Sequence, residues 1–139
     1  MLKWLLAASL FLNSYSSNAT EFIHSNNPEK IISISVNEKG FAIIGRDTMF
    51  IEQLTDEIQK RLWKSYLGTG EMFDAIRLEF SGNPKEETKK NARKAIQEGQ
   101  KKALIDISLQ KHKRLFEDLN SRKQRKIKNQ FPVLFQQDY

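Results

Sequence analysis

Apolar and polar residues alternate where the patterned part of the chain begins. Ile32, Ile34 and Val36 are separated by two serines, which is typical of a strand with one buried face. A polar turn at 37–40 ends in glycine, and a second apolar run follows at 41–44. The pattern therefore predicts a β-hairpin, and we expect the polar segment 45–48 to terminate it.

A helix and a further strand are predicted next. Apolar residues recur every three or four positions among charged residues, which indicates an amphipathic helix that ends before the glycines of 68–70. Its apolar positions are Ile51, Leu54, Ile58 and Leu62. Beyond the glycines, Ile76, Leu78 and Phe80 alternate with two charged residues. This alternation predicts a third strand.

The pattern changes to helical spacing in the second half of the chain. Asn83 followed by Pro84 is typical of a helix start, and Gly99 is expected to weaken or end that helix. The segment 103–109 is compatible with a strand or with a helix. We favour a helix, because the strand-like alternation covers only a short stretch and the helical spacing continues well beyond it. The residues with that spacing are Ile105, Leu109, His112, Phe116 and Leu119.

A short basic helix and an apolar tail are predicted at the end of the chain. Ser121 and Gln124 have the spacing of a capping box, so a helix is expected to begin there. Pro132 cannot continue that helix. The tail after it either covers the domain core or forms a docking peptide for a partner. Its apolar residues are Phe131, Val133, Leu134 and Phe135.

The first residues have the pattern of a secretory signal peptide. Lys3 precedes an apolar run at 4–12, and small residues lead to an expected cleavage site after Ala19. The run is too short for a membrane-spanning helix, which needs about 20 apolar residues. We therefore expect a periplasmic or secreted protein with no transmembrane span in its mature chain.

The combined pattern predicts the domain organisation and the fold class. We expect a signal peptide at 1–19, a short flexible N-terminus at 20–30, a domain at 31–110 and a basic helical C-terminal extension at 111–139. The predicted fold class is α+β, with a small antiparallel or mixed sheet, made of the hairpin and a third strand, packed on helices.

Composition and charge narrow the possible functions. The chain has 139 residues and no cysteine, which excludes disulfides, thiolate metal sites and cysteine nucleophiles. Residues 84–139 hold 15 Lys or Arg and 7 Asp or Glu, whereas residues 20–83 hold 7 and 10. A tight basic cluster lies within the second half. It consists of Arg122, Lys123, Arg125, Lys126 and Lys128.

The basic cluster has two interpretations. It is either a solvated helix face, which is the more common case, or a site that binds an anionic partner. Nucleic acid is not expected as that partner, because no aromatic residue interrupts the cluster and export separates the protein from most nucleic acid.

Residue patterns for catalysis or metal binding are weak. His24 and His112 lack partners at a diagnostic spacing, and carboxylates that are adjacent in sequence diverge around a helix. The glycines of 68–70 lack the lysine of a phosphate-binding loop. We therefore expect neither an enzyme nor a cofactor or metal.

The arrangement over residues 31–80 resembles the periplasmic domain of the ExbD/TolR family of biopolymer transport proteins. The resemblance rests on the hairpin, on Gly45, Met49 and Leu54 at the family's spacing, and on the strand at 76–80. It implies a binding domain whose partners are envelope transport proteins, cell-wall polymer or a second copy joined by strand addition. The family's proton-linked role is not implied, because residues 4–12 contain no acidic residue.

Two functions follow from these observations. The first is an exported, non-catalytic binding module of ExbD/TolR type, an accessory of envelope energy transduction or biopolymer transport. The alternative is a secreted basic protein that binds an anionic polymer through residues 111–128.

Overall fold

The computed structural model describes residues 30–68 and 71–139. The predicted signal peptide, and all of the predicted N-terminal segment except Lys30, lie outside the described residues. The elements, in chain order, are β1 (Ile31–Val36), β2 (Phe41–Ile44), β3 (Asp47–Phe50), α1 (Ile51–Gly68), β4 (Ala75–Phe80), α2 (Glu86–His112) and α3 (Ser121–Gln130). Short 3-10 helices lie at Phe116–Asp118 and Pro132–Phe135. The α+β fold class is confirmed.

The four strands form one mixed sheet in the order β3-β2-β1-β4. β1 pairs antiparallel with β2 and parallel with β4, and Ile34 lies opposite both Ile44 and Leu78. The apolar residues that alternate with the serines of β1 are buried, whereas Ser33, Arg77 and Glu79 on the opposite face are exposed. The alternation in the sequence therefore identified the hairpin, the strand at 75–80 and the buried face of both.

The prediction for residues 45–48 was right for the first two residues, which end β2, and wrong for the last two, which begin another strand. Gly45 and Arg46 form a two-residue turn, and Asp47–Phe50 returns as β3, antiparallel to β2. Gly45 has a φ of 61°, which is strained for residues with a side chain and lets the chain reverse within two residues. β3 is a short edge strand and mostly exposed, so it has no apolar alternation to reveal it. The predicted third strand is thus the fourth.

α1 follows the predicted periodicity, whereas the start of α2 differs from the prediction. α2 begins at Glu86 after Lys85, two residues later than the Asn83 cap predicts. The backbone N–H of Asn83 instead donates to the Glu38 side chain in the hairpin turn, with an N···O distance of 2.6 Å. This contact holds the segment before α2 against the turn.

Gly99 does not end α2, which continues to His112 and confirms the helical interpretation of 103–109. Gly99 is buried where α2 packs on α1, and a methyl group there would lie 2.8 Å from both the Ile58 Cβ and the Thr55 carbonyl oxygen. The missing side chain therefore lets the two helices approach closely. Nearby, the Thr55 hydroxyl donates to the Ala95 carbonyl.

The predicted apolar face of the second half of α2 was also wrong. Ile105 and Leu109 are 41% and 42% exposed, whereas Ala103 and Ile107 are fully buried. The same face of α2 buries Ser108. The expected spacing ran on into Phe116, which the structure places beyond the end of the helix.

The C-terminal tail belongs to the same core as the sheet. Phe131, Val133 and Leu134 are buried in one cluster with the apolar residues of β1 and α1, and the predicted boundary at 110/111 falls inside α2. Gln100 of α2 fastens the tail, because its side-chain nitrogen donates to the Val133 carbonyl at 2.7 Å. Its side-chain oxygen accepts from Tyr139, whose pKa burial raises to about 12.

Replacing Gly99 by alanine tests the contact between α1 and α2. We expect the free energy of unfolding to fall by about 1–3 kcal/mol, because the added methyl group meets atoms that cannot rotate away. The better helix propensity of alanine offsets only about 1 kcal/mol of this cost. Chemical denaturation measures the difference. Gly68→Ala is the matched control, since a methyl group there meets open space, and equal stability of the two variants would contradict the close contact.

Candidate functional site

The five predicted site cations all lie on α3, and one buried residue sets how that helix is oriented. Asn120 is the N-cap, one residue before the predicted Ser121, and its side chain accepts from the Lys123 backbone N–H at 2.9 Å. Ile127 is fully buried and faces the core. The helix is therefore fixed in rotation, and the direction of every other side chain follows from its angle to Ile127.

The structure divides the five cations among three sides of α3. Lys123 and Lys126 lie within about 100° of Ile127 on one side of the helix, and Lys128 lies about 100° away on the other. Arg122 and Arg125 lie roughly opposite Ile127, toward solvent. The cations that are neighbours in sequence thus point in three directions around the helix.

Lys123 and Lys126 contribute to a cavity of about 530 Å³ between the end of α2 and α3. We call it the basic groove, and it is lined by Lys111, His112, Lys123, Lys126, Asn129 and Gln130. α2 ends at His112 because Lys113 takes the left-handed conformation, with a φ of 58°. That ending places the last turn of α2 beside α3.

The position of Lys111 is fixed by two contacts. Its ammonium group donates to the Gln130 side-chain oxygen at 2.6 Å and lies 5.6 Å from the centre of the Phe131 ring. Lys111 falls within the predicted segment 111–128 but was not among the five predicted site residues. Its role depends on the approach of α3 to α2, which leaves no local signal in the sequence.

The basic groove concentrates positive charge without internal neutralisation. Within residues 30–68 and 71–139, neither Lys111 nor any of the five cations of α3 forms an ion pair with a carboxylate. The pKa of His112 is lowered, first by desolvation and then by Lys123, Lys111 and Lys126. The groove therefore favours a bound anion and disfavours further protonation.

Lys128 belongs to a different cavity, on the other side of α3. This amide groove, of about 660 Å³, is lined by four glutamines together with Phe116 and Phe135, among others. The Lys128 ammonium group lies 5.9 and 5.8 Å from the centres of those two rings. Part of its charge is thus directed at two aromatic faces, on the other side of α3 from the basic groove.

Among the described residues, His112 is hydrogen-bonded to no serine and to no carboxylate. Ser108 lies one turn before His112 on α2, but its hydroxyl is fully buried and has no hydrogen-bond partner within residues 30–68 and 71–139. In the part of the chain that the structure describes, no group of three or more histidine, aspartate or glutamate side chains is arranged to hold a metal ion. The chemistry that the basic groove offers is electrostatic binding through ammonium and amide groups.

No protein-family model, curated protein or solved structure matches this chain. Among the described residues, every helix is too short or too polar to span a bilayer.

The lowered pKa of His112 predicts a specific pH dependence of stability. As the pH falls below the ordinary value of 6.5, the unfolded chain binds a proton before the folded chain does. The free energy of unfolding should therefore decrease as the pH falls through this range. His112→Gln should remove that part of the decrease, as measured by urea denaturation between pH 7.5 and 5. His24 is present in both proteins and therefore does not contribute to the difference between their pH profiles. Identical profiles would contradict the prediction.

Proposed function

We propose that this protein is a non-catalytic binding module that holds an anionic polymer in the basic groove. The observation that carries the proposal is the convergence of Lys111, Lys123 and Lys126, from two helices, on one cavity without a carboxylate partner among the described residues. Cations held this way attract phosphate, sulfate or carboxylate groups.

A polymer suits the site better than a small anion. Arg122 and Arg125 continue the positive surface over the solvent side of α3, next to the basic groove. Successive charges of one chain would therefore contact the groove and then the arginines. The described residues that line the groove offer amide groups and one imidazole but no phenylalanine, tyrosine or tryptophan for base stacking, which favours an acidic cell-wall or surface polymer over nucleic acid.

A second proposed function is that of an accessory of ExbD/TolR type in envelope transport. It is supported by the order of elements in residues 31–80, where the hairpin precedes α1 and α1 precedes β4 as the resemblance expects, with β3 as an additional strand between the hairpin and α1. β3 and β4 also lie at the two edges of the sheet, where a partner strand could pair. Export would bring either function to the same compartment.

Neutralising the two α3 lysines of the basic groove tests the first function. In the double variant Lys123→Gln/Lys126→Gln we expect the affinity for an anionic polymer at low salt to fall roughly tenfold or more. We also expect the slope of log affinity against log salt to fall by about one per lysine. Fluorescence titration with polyphosphate and with polygalacturonate, each over a range of salt, measures both quantities.

The matched control removes the same charge from the solvent side of α3. Arg122→Gln/Arg125→Gln should weaken binding less than the lysine pair does, because these arginines lie outside the basic groove. Equal losses in the two double variants would mean that only net charge matters, and the groove would not be the site. Salt-independent binding would contradict an electrostatic mechanism altogether.

The second function predicts both processing and association. The chain isolated from its own cells should have the mass of a polypeptide that begins at Thr20, because this function requires removal of the signal peptide. It should also copurify with inner-membrane transport proteins after mild cross-linking. Mass spectrometry measures both. An uncleaved chain, or a processed chain that never brings down a membrane transport protein, would contradict this function.

A further inference from the structure

β4 forms one edge of the sheet, and its outward backbone groups are only partly covered. In the parallel ladder with β1, alternate residues of β4 bond to β1, as the Ser81 N–H does to the Val36 carbonyl at 2.9 Å. The intervening residues, Ile76, Leu78 and Phe80, therefore direct their N–H and C=O groups away from the sheet. This edge could accept another strand.

Gln136 from the tail covers one of these three residues. Its side-chain oxygen accepts from the Ile76 N–H at 2.8 Å, and its side-chain nitrogen donates to the Ile76 carbonyl at 2.7 Å. The amide thus takes the place of one residue of a neighbouring strand. Within the described residues, no hydrogen bond occupies the outward backbone groups of Leu78 or Phe80.

The sequence of β4 is complementary to itself in one antiparallel register. When Leu78 of two copies lie opposite each other, Arg77 of each copy lies opposite Glu79 of the other. Both residues are exposed on the open face of the sheet. On the buried face, Ile76 of one copy lies opposite Phe80 of the other. The neighbouring registers with the same backbone pairing bring Arg77 against Arg77 or Glu79 against Glu79, which is unfavourable.

We propose that two copies of this protein pair through β4 in the register centred on Leu78, forming a two-fold symmetric dimer with one continuous sheet. The pairing is isologous, so each charge contact occurs twice. In each copy the charged groups of Lys89 and Arg93 lie 5.6 and 5.4 Å from the centre of the Phe80 ring, so they pack on that residue at the end of β4. This inference is independent of the polymer-binding function.

Gln136 sets how strongly the copies pair. The central Leu78 pair uses backbone groups that the tail leaves without a hydrogen bond among the described residues, whereas pairing Ile76 with Phe80 of the other copy requires the Gln136 amide to leave its two hydrogen bonds. The tail therefore competes with the second copy for the same backbone groups.

Reversing charges on β4 tests the dimer. By sedimentation equilibrium we expect a concentration-dependent dimer for the unmodified chain, and a dissociation constant raised roughly tenfold in Arg77→Glu and in Glu79→Arg. The double variant Arg77→Glu/Glu79→Arg should restore the original affinity. Mixing the two single variants should give heterodimers, because one copy is then acidic and the other basic at both positions.

Two further variants sharpen the result. Arg46→Glu makes the same change of charge in the exposed turn between β2 and β3 and should leave the dimer unchanged. Gln136→Met keeps the side-chain length but cannot bond to Ile76, so it should tighten the dimer. In both the unmodified dimer and this variant, amide exchange at Leu78 should slow as concentration rises.

Specific outcomes would overturn the inference. An unmodified chain that stays monomeric at millimolar concentration would exclude the dimer, and single charge reversals that bind as well as the original would exclude this register. An unchanged dimer affinity in Gln136→Met would show that the tail does not compete with the second copy. Circular dichroism establishes that each variant is folded before these comparisons are made.

Discussion

Burial of Ile127 in the shared core is the constraint on which the candidate site depends. α3 is otherwise polar, so one buried side chain decides its rotation and directs Lys123 and Lys126 toward α2. Phe131 and the apolar residues after it continue the same attachment to the core. Without that attachment, α3 would be a solvated helix, and its lysines would not lie beside Lys111 to form the basic groove.

The molecule separates its structural and its electrostatic roles. The hairpin, β4 and α1 bury an almost continuous apolar face and carry no net charge, whereas positive charge collects on α2 and α3. Gly99 connects the two parts. It permits the close approach of α2 to α1 and so determines the position of α2, whose last turn forms one wall of the basic groove. A small domain without disulfides depends on such packing for its stability.

The tail links the core to the edge of the sheet. Gln100 holds its backbone from α2, and Gln136 then reaches the outward groups of Ile76 on β4. Covering only part of an edge protects the sheet from indiscriminate pairing while leaving Leu78 open to a strand with the right charges. In the proposed dimer each copy would bring its own basic groove, so one long anionic polymer could contact two grooves at once.

The sequence by itself determined the elements whose burial follows a regular local period. The alternation around Ile34 and in β4, and the spacing of α1, were sufficient because one face of each is buried or half-buried along the element. Tertiary structure decided the rest. The turn at Gly45 leads into β3, a strand with almost no buried side chains. Gly99 lies inside a continuous helix, because its missing side chain leaves room for α1. The five neighbouring cations point in three directions, because only Ile127 of α3 is buried in the core. Each of these depends on contacts between residues far apart in the chain, which local periodicity does not record.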